Sequence, residues 1–519
     1  MNFNHADLFE AIVDVAGDRV AVACDGERRT YAELDAEANR LAHFLLSRGV
    51  QPGQHVGLHL YNGIEYVAGL LACLKIRAVP VNVNYRYVEA ELRYLYSDSD
   101  IVALIFDAEF ADRVAAALPD SVTTLVSVGG PAQAAVPYGE ALETQPDTRG
   151  FGPRSGDDVY IIYTGGTTGM PKGVMWRVED LFFAFGGGNP SGAPLATPQA
   201  VVDQAAAAGP LVMMAAPPLM HGAAQMGTWI AWWMGATIVY TRKFDAAAVL
   251  RSIERERVLT INITGDAMAR PLAEEVSTGA YDLSSLFVVS STGAILTGAV
   301  REELQAALPN VMIMDSFGST ESGYTASAVS GSSPESGMKY QPNANATIAV
   351  LGDDLRPVKP GELGTVAKTG RIAFGYYNDP AKTAATFVTD DDGTRWLLTG
   401  DLAVIEDDGT IRVFGRGSQC INTGGEKVFP EEVEAVLKGH EDVFDAVVTG
   451  VPDERWGFRV AAVIQPNPGA SPTEDDLDAH CRARLSGYKV PKDYAFVGEM
   501  VRSPAGKADY RWAKSMFTS

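Results

Sequence analysis

Downstream of Arg19 the chain alternates short β-branched runs with longer runs of helical periodicity. VAVACD reads as a strand and GE as a turn. Thr30 and Glu33 then form a T-x-x-E capping box ahead of Leu34, Ala38, Leu41, Ala42 and Leu45, which fall on one helical face, and Gly49 closes that helix. The same alternation runs through HVGLHLYN, IEYVAGLLACLKIRA, VPVNVN, ELRYLYSD, IVALIFD and FADRVAAAL, and predicts α/β layers built on largely parallel sheets. The Ala-, Pro- and Gly-rich segment 129–156 predicts a surface connector, and VYIIY after it reads as a buried strand. IVYTRKFD, VLTINIT, SLFVVSST and NVMIMDSF continue the strand signals. A break falls near Arg416, so residues 1–416 are expected to form a large N-terminal domain and 417–519 a small acidic α+β domain. The small unit carries its own helix EEVEAVLKG, strand AVVTGV and helix DLDAHCRARL.

Composition narrows the classes of function. The 519 residues are 46% hydrophobic and 21% charged, an ordinary globular balance. With 42 Lys and Arg against 65 Asp and Glu, the formal charge of −23 argues against nucleic acid and anionic membranes as partners. Any phosphate ligand needs a local site. Cys24, Cys73, Cys420 and Cys481 show no metal-knuckle spacing or disulfide framework, which fits a reducing cytoplasm. The N-terminus lacks a secretory pattern. The most apolar run, Met226 to Tyr240, is shorter than the roughly 20 residues needed to cross a bilayer, so no transmembrane segment is expected.

The strand VYIIY leads into TGGTTGMPKGV. Glycines let backbone N–H groups turn toward an anion, and threonine hydroxyls add donors, so the loop reads as a phosphate cradle. It is no Walker motif, because Lys172 follows Pro171 and precedes Gly173 with no Ser or Thr after it. It also lacks the G-x-G-x-x-G spacing of a dinucleotide fingerprint. A plain exposed turn is the alternative reading.

Thr164, Gly165, Gly166, Thr167, Thr168, Gly169, Pro171, Lys172 and Gly173 nevertheless match the signature loop of the adenylate-forming acyl-CoA synthetases. Further stretches follow in that family's order: DSFGSTESG, LTGDL, GRGSQCINTGGEKVFPEEVE and SPAGKADYRWAK. The chain therefore resembles this family over nearly its whole length. The resemblance implies a large domain of layered α/β sheets with a distorted β-barrel and a small mobile C-terminal α+β domain. It also implies activation of a carboxylic acid by ATP with Mg2+, then transfer of the acyl group to coenzyme A. A homodimer is left open.

The resemblance also distributes roles. The loop residues 164–169 and Lys172 would hold ATP, with Thr168 and Glu321 at the magnesium ion. Gly293 and Ala294 would flank adenine, and Asp315, Ser316, Phe317 and Gly318 would continue the nucleotide site, with Phe317 stacked on the base. Thr320 would donate to the α-phosphate, while Asp401 and Arg416 would approach the ribose. Lys507 would be the cation that stabilises adenylation. Gly424, Gly425, Glu426 and Lys427 would border the coenzyme A channel after the small domain rotates about Ser418, where the family's usual hinge charge is missing.

For the acid, PPLMHGAAQMGTWIAWWMGATIVY and NITGDAMARP are expected to line the acyl pocket, with His221 near the carboxylate and Met226, Gly227, Trp229 and Gly293 along the wall. A packed core helix is the alternative for part of this stretch. No cation there favours a dicarboxylate or amino acid. The finer motifs, including GDAMARPL, resemble bacterial ligases of long-chain fatty acids and sterol side-chain acids. A ligase for aromatic or short acids, a carrier-loading enzyme and a non-catalytic nucleotide-binding protein are the competing readings.

Overall fold

The computed structural model describes residues 2–165, 170–190, 192–328, 338–343, 347–423, 426–453, 455–502 and 507–518. Helix Tyr31–Ser47 begins where the capping box predicts: Glu33 N–H donates to Thr30 Oγ1 at 3.2 Å, and the Glu33 carboxylate accepts from Thr30 N–H at 2.8 Å. Its predicted apolar face, Leu34, Ala38, Leu41, Ala42 and Leu45, is buried. Gly49 follows the helix with φ of +89°, a conformation that costs a residue without a Cβ little.

The parallel half of a fourteen-stranded sheet runs in the spatial order Met312–Ser319, Val288–Thr292, Thr260–Ile263, Val212–Ala215, Thr237–Tyr240 and Val20–Cys24. Ile261 and Val289 point to one face and pack on helices Ala246–Glu256, Gly265–Thr278 and Gly298–Ala307. A second, wholly parallel sheet joins Val79–Asn82, His55–His59, Ile101–Asp107, Thr124–Val128 and Val136–Pro137. A three-stranded sheet holds Val159–Thr164 and Lys172–Arg177 as a hairpin, with Gly375–Tyr376 at its edge.

Two expectations are corrected. Among the described residues there is no closed barrel. Met312–Ser319 offers one edge to its parallel neighbour and the other to the antiparallel Gly323–Ala328, so the later strands extend the large sheet instead of closing a ring. The segment 129–156 is more than a connector: Val136–Pro137 adds an edge strand and Tyr138–Glu143 forms a helix. Arg149 and Arg154 then staple the segment's end to Asp14, Asp35, Asp7 and Glu10. Composition sees the Gly and Pro content but not these distant carboxylates.

The large sheet's last strand in chain order ends at Arg416, and the single-turn 3-10 helix Gly417–Gln419 leads away from it. Strands Ile421–Thr423, Glu426–Val428, Val443–Asp453, Gly457–Pro466 and Asp493–Phe496 then make a separate sheet around its own apolar cluster. No described helix is long and apolar enough to cross a membrane.

Candidate active site

In an open parallel sheet, ligands bind beyond the carboxyl ends of the strands. Here those ends carry Thr264, Gly293, Ala294, and Asp315 to Phe317. Gly293 is exposed with φ of +82°, and Gly265 lies so close to the neighbouring turn that a Cβ there would sit 2.4 Å from the Ile295 carbonyl. The helix Gly265–Thr278 is thereby pressed against the Gly293–Ile295 turn. Asp315 is buried, and burial pushes its carboxyl up to about 7. Phe317 is half-buried and leans on Tyr340, with ring centroids 5.3 Å apart.

Thr320 and Glu321 follow at the mouth of the sheet. Trp176 fixes the turn by donating its indole N–H to the Thr320 carbonyl at 2.9 Å. Buried Lys368 donates to the Ser322 carbonyl at 2.5 Å. Burial depresses its ammonium to about 8. Tyr376 donates its hydroxyl to Glu321 Oε1 at 2.9 Å. The N-terminus of helix Gly222–Trp233 abuts the same turn: a Cβ on Gly222 would lie 3.5 Å from Thr320 Oγ1. His221 occupies the residue before that helix, partly exposed. The positive end of a helix thus faces the Thr320 hydroxyl.

Across from this turn, the cross-strand pair Asp401–Arg416 brings Nε within 3.1 Å of Oδ1. The neighbouring Asp401 charge, with Glu321 beyond it, holds the Arg416 guanidinium above its usual range. Lys507 enters from the small domain. Crowding by the cleft walls depresses its ammonium, Arg416 lowers it further, and the charges of Glu321 and Asp401 oppose that. The residue keeps exposed surface, so the walls crowd it without enclosing it. Four side chains from three distant segments therefore share one field: Glu321, Asp401, Arg416 and Lys507.

The glycine-rich loop bridges the hairpin strands, whose register pairs Thr164 with Lys172. Gly166, Thr167, Thr168 and Gly169 lie outside the described residues, as do Gly424 and Gly425. Gly165 is exposed. Lys172 forms an ion pair with Asp379, which also caps helix Pro380–Thr386 by accepting from Lys382 N–H at 2.8 Å. Glu426 and Lys427 are exposed on their small-domain strand, paired with Thr423 and Asn422. Ser418 lies in the 3-10 turn between the two sheets.

The acyl-pocket residues separate. His221 and Gly293 stand at the cleft, whereas Met226 and Trp229 are buried in the core. Trp229 stacks on His5 at 4.8 Å and donates its N–H to the Tyr160 hydroxyl at 3.4 Å. Gly227 faces Ala215, whose Cβ would be 3.9 Å from an added Cβ. Helix Gly222–Trp233 thus meets the site with its first turn and feeds the core with the rest. Sequence reading missed Trp176, Lys368, Tyr376 and Asp379. Only Asp379 carried a local signal, the Asn-Asp-Pro cap of a short helix.

Residues 9–377 match the AMP-binding enzyme family, and residues 432–507 match the AMP-binding enzyme C-terminal domain. The chain is 48% identical to a medium/long-chain-fatty-acid–CoA/3-oxocholest-4-en-26-oate–CoA ligase of Mycobacterium tuberculosis, over 98% of this chain and 95% of that protein. It is 44% identical to a 3-oxocholest-4-en-26-oate–CoA ligase of Rhodococcus rhodochrous, over 99% of this chain and 96% of that one. Its fold superposes on the anthranilate CoA ligase AuaEII in complex with anthranoyl-AMP with a TM-score of 0.85, at 25% identity and covering 99% and 98% of the two chains. The chain belongs to the AMP-binding enzyme family.

Proposed function

We propose that this protein is an AMP-forming acyl-CoA ligase for a hydrophobic carboxylic acid, a long-chain fatty acid or a steroid side-chain acid. The observation that carries the reading is the meeting of Lys507 with Arg416, Asp401 and Glu321 across the domain boundary. A carboxylate attacking the α-phosphate of ATP is one anion approaching another, so the barrier is mainly electrostatic, and preorganised cations and donors lower it. Lys507 supplies positive charge at the reacting oxygens. The Thr320 hydroxyl, at the end of a helix, donates to the α-phosphate. Asp401 accepts from the ribose hydroxyls, and Arg416 orients Asp401. Lys172 and the glycine-rich loop hold the outer phosphates.

Glu321 would hold Mg2+ together with the nucleotide phosphates, since magnesium takes one or two carboxylates plus phosphate and water. The donor set fits: Tyr376 engages Oε1, and among the described residues no group of three or more His, Cys, Asp or Glu gathers to hold a metal by itself. The ion would supply charge neutralisation on the phosphates. Loss of pyrophosphate leaves an acyl-adenylate, a good electrophile for the coenzyme A thiol. The small domain then turns about Ser418 and brings 424–427 to the cleft.

The substrate class rests on the activities for which the Mycobacterium tuberculosis and Rhodococcus rhodochrous relatives are named. A panel of acids with ATP, magnesium and coenzyme A tests it. Efficient turnover of palmitate-like or cholestenoic-type acids is expected. Turnover confined to acetate or benzoate would overturn the substrate class, and no acid-dependent pyrophosphate release from any acid would overturn the ligase reading.

A further inference from the structure

The motif GDAMARP belongs to helix Gly265–Thr278, which faces two ways at the domain boundary. Asp266 in its first turn uses both carboxylate oxygens. Oδ1 accepts from Thr297 N–H at 2.8 Å, just beyond the Gly293–Ile295 turn, and Oδ2 lies 3.3 Å from Lys438 Nζ of the small domain. Lys438, the last residue of helix Pro430–Lys438, also reaches Asp445 Oδ1 at 3.4 Å. Both oxygens of Asp445 are in turn held by Arg502, through Nε at 2.6 Å and Nη2 at 2.5 Å. Arg502 pairs across a β-bridge with Ala508. Those two residues are the flanks from which Lys507 is presented.

One turn further along the same helix, Arg270 donates to the Val443 carbonyl at 3.3 Å and to the Phe444 carbonyl, with its guanidinium 5.2 Å from the Phe444 ring centroid. Asp266 and Arg270, four residues apart, lie on one helix face, so a single face grips the small domain twice. The side chains are 6% to 18% exposed: Arg270 at 6%, Lys438 at 7%, Asp266 and Asp445 at 12%, and Arg502 at 18%. Pairs this buried are little screened, and removing one partner strands a charge.

We infer that the relay Asp266–Lys438–Asp445–Arg502, braced by Arg270, is a positioning latch that holds the Lys507 loop over the nucleotide site for adenylation and is broken when the small domain turns for thioester formation. The geometry gives the reason. The relay starts on the helix packed against the Gly293–Ile295 turn and ends at the base of the lysine loop. It therefore stabilises one domain orientation only. None of its members touches the reacting atoms. The inference rests on the two-step reading above: if the unaltered enzyme shows neither half-reaction, that reading falls and the latch with it; if it shows both, the variants below decide the latch alone.

The test is Lys438→Met, measured in each half-reaction separately with a long-chain acid. Acid-dependent pyrophosphate release is expected to fall at least tenfold. Thioester formation from supplied acyl-adenylate and coenzyme A is expected to stay within twofold or rise, because the competing orientation is no longer favoured. Lys438→Arg, which keeps the cation, should restore adenylation to within about threefold. Equal loss in both half-reactions, or no change in either, would overturn the latch. Should Lys438→Met fail to fold, Arg270→Lys is read by the same criteria: it keeps the charge but loses the planar fork that spans two carbonyls.

Discussion

Among the described residues, two buried charge networks share similar chemistry and differ in purpose. In the first, Lys75 is wholly buried between Glu10 at 2.7 Å and Asp35 at 2.6 Å, while Arg149 and Arg154 close the circuit from the end of segment 129–156. All its members belong to the large domain and join helices His5–Ala16, Tyr31–Ser47 and Ile64–Lys75 to a stretch that has little apolar surface of its own. In the second, the Asp266–Lys438 pair crosses between domains, and Asp445 and Arg502 continue it inside the small domain. A buried ion pair gains little over an apolar contact but costs heavily when one partner is removed. Inside one domain that penalty is a staple. Across the domain boundary, on the latch inferred above, it selects an orientation.

Lys75→Met should cost about 3–5 kcal/mol of stability, because Asp35 and Glu10 lose a buried cation. It should slow neither half-reaction preferentially. Chemical denaturation set beside the two kinetic assays checks this, and a selective loss of adenylation would erase the distinction between the networks.

Asp315 lies near the second network: burial raises its carboxyl most, the Arg301 charge and the Ser316 N–H oppose that, and the Asp266 charge adds to it. Its carboxyl titrates near 4 when unfolded and is pushed up to about 7 in the fold. Between those values the folded protein keeps a proton that the unfolded chain releases, so this group's contribution falls as pH rises from 4 to 7. Asp315→Asn removes that slope. The variant should gain on the parent protein by up to about 4 kcal/mol over the interval, read from denaturation midpoints of the ligand-free proteins. A difference that is flat in pH would show that Asp315 is ionised throughout.

Lys507→Ala examines the far end of the relay. Adenylation should drop roughly 100- to 1,000-fold, about 3–4 kcal/mol, with thioester formation from supplied acyl-adenylate nearly intact. Comparable losses in both steps would contradict the division of labour. The smallest effect belongs to Asp379→Asn. Its pair with Lys172 is about one-third exposed on both sides, so stability should change by less than about 1 kcal/mol. The KM for ATP should move by a few-fold while kcat holds, as expected if Asp379 sets where Lys172 waits for the phosphates.

Much of the fold was legible because its signals are short-range. The Thr30–Glu33 box, the apolar face behind it and the run IVALIFD each contain their own reason within a few residues. Motifs named the candidate site residues, and the cleft gathers four of them, Glu321, Asp401, Arg416 and Lys507. The rest was not legible. Trp229 reads equally well as pocket or core, and its burial, its stack with His5 and its bond to Tyr160 assign it to the core. Lys368 and Trp176 pin the Thr320 turn through backbone carbonyls, which carry no sequence signature.

Local sequence carries the order of elements, their caps and the kind of chemistry its motifs could support, and it predicts a two-domain division near Arg416. Tertiary structure alone decided that the antiparallel strands extend a sheet instead of closing a barrel. It alone set Lys172 against Asp379, 207 positions away, and joined residues 266, 438, 445 and 502 into one relay. The physical reason is range. Helix periodicity and capping act over one or two turns, whereas Coulomb and packing energies depend on spatial distance, and the fold sets that distance between residues far apart in the chain.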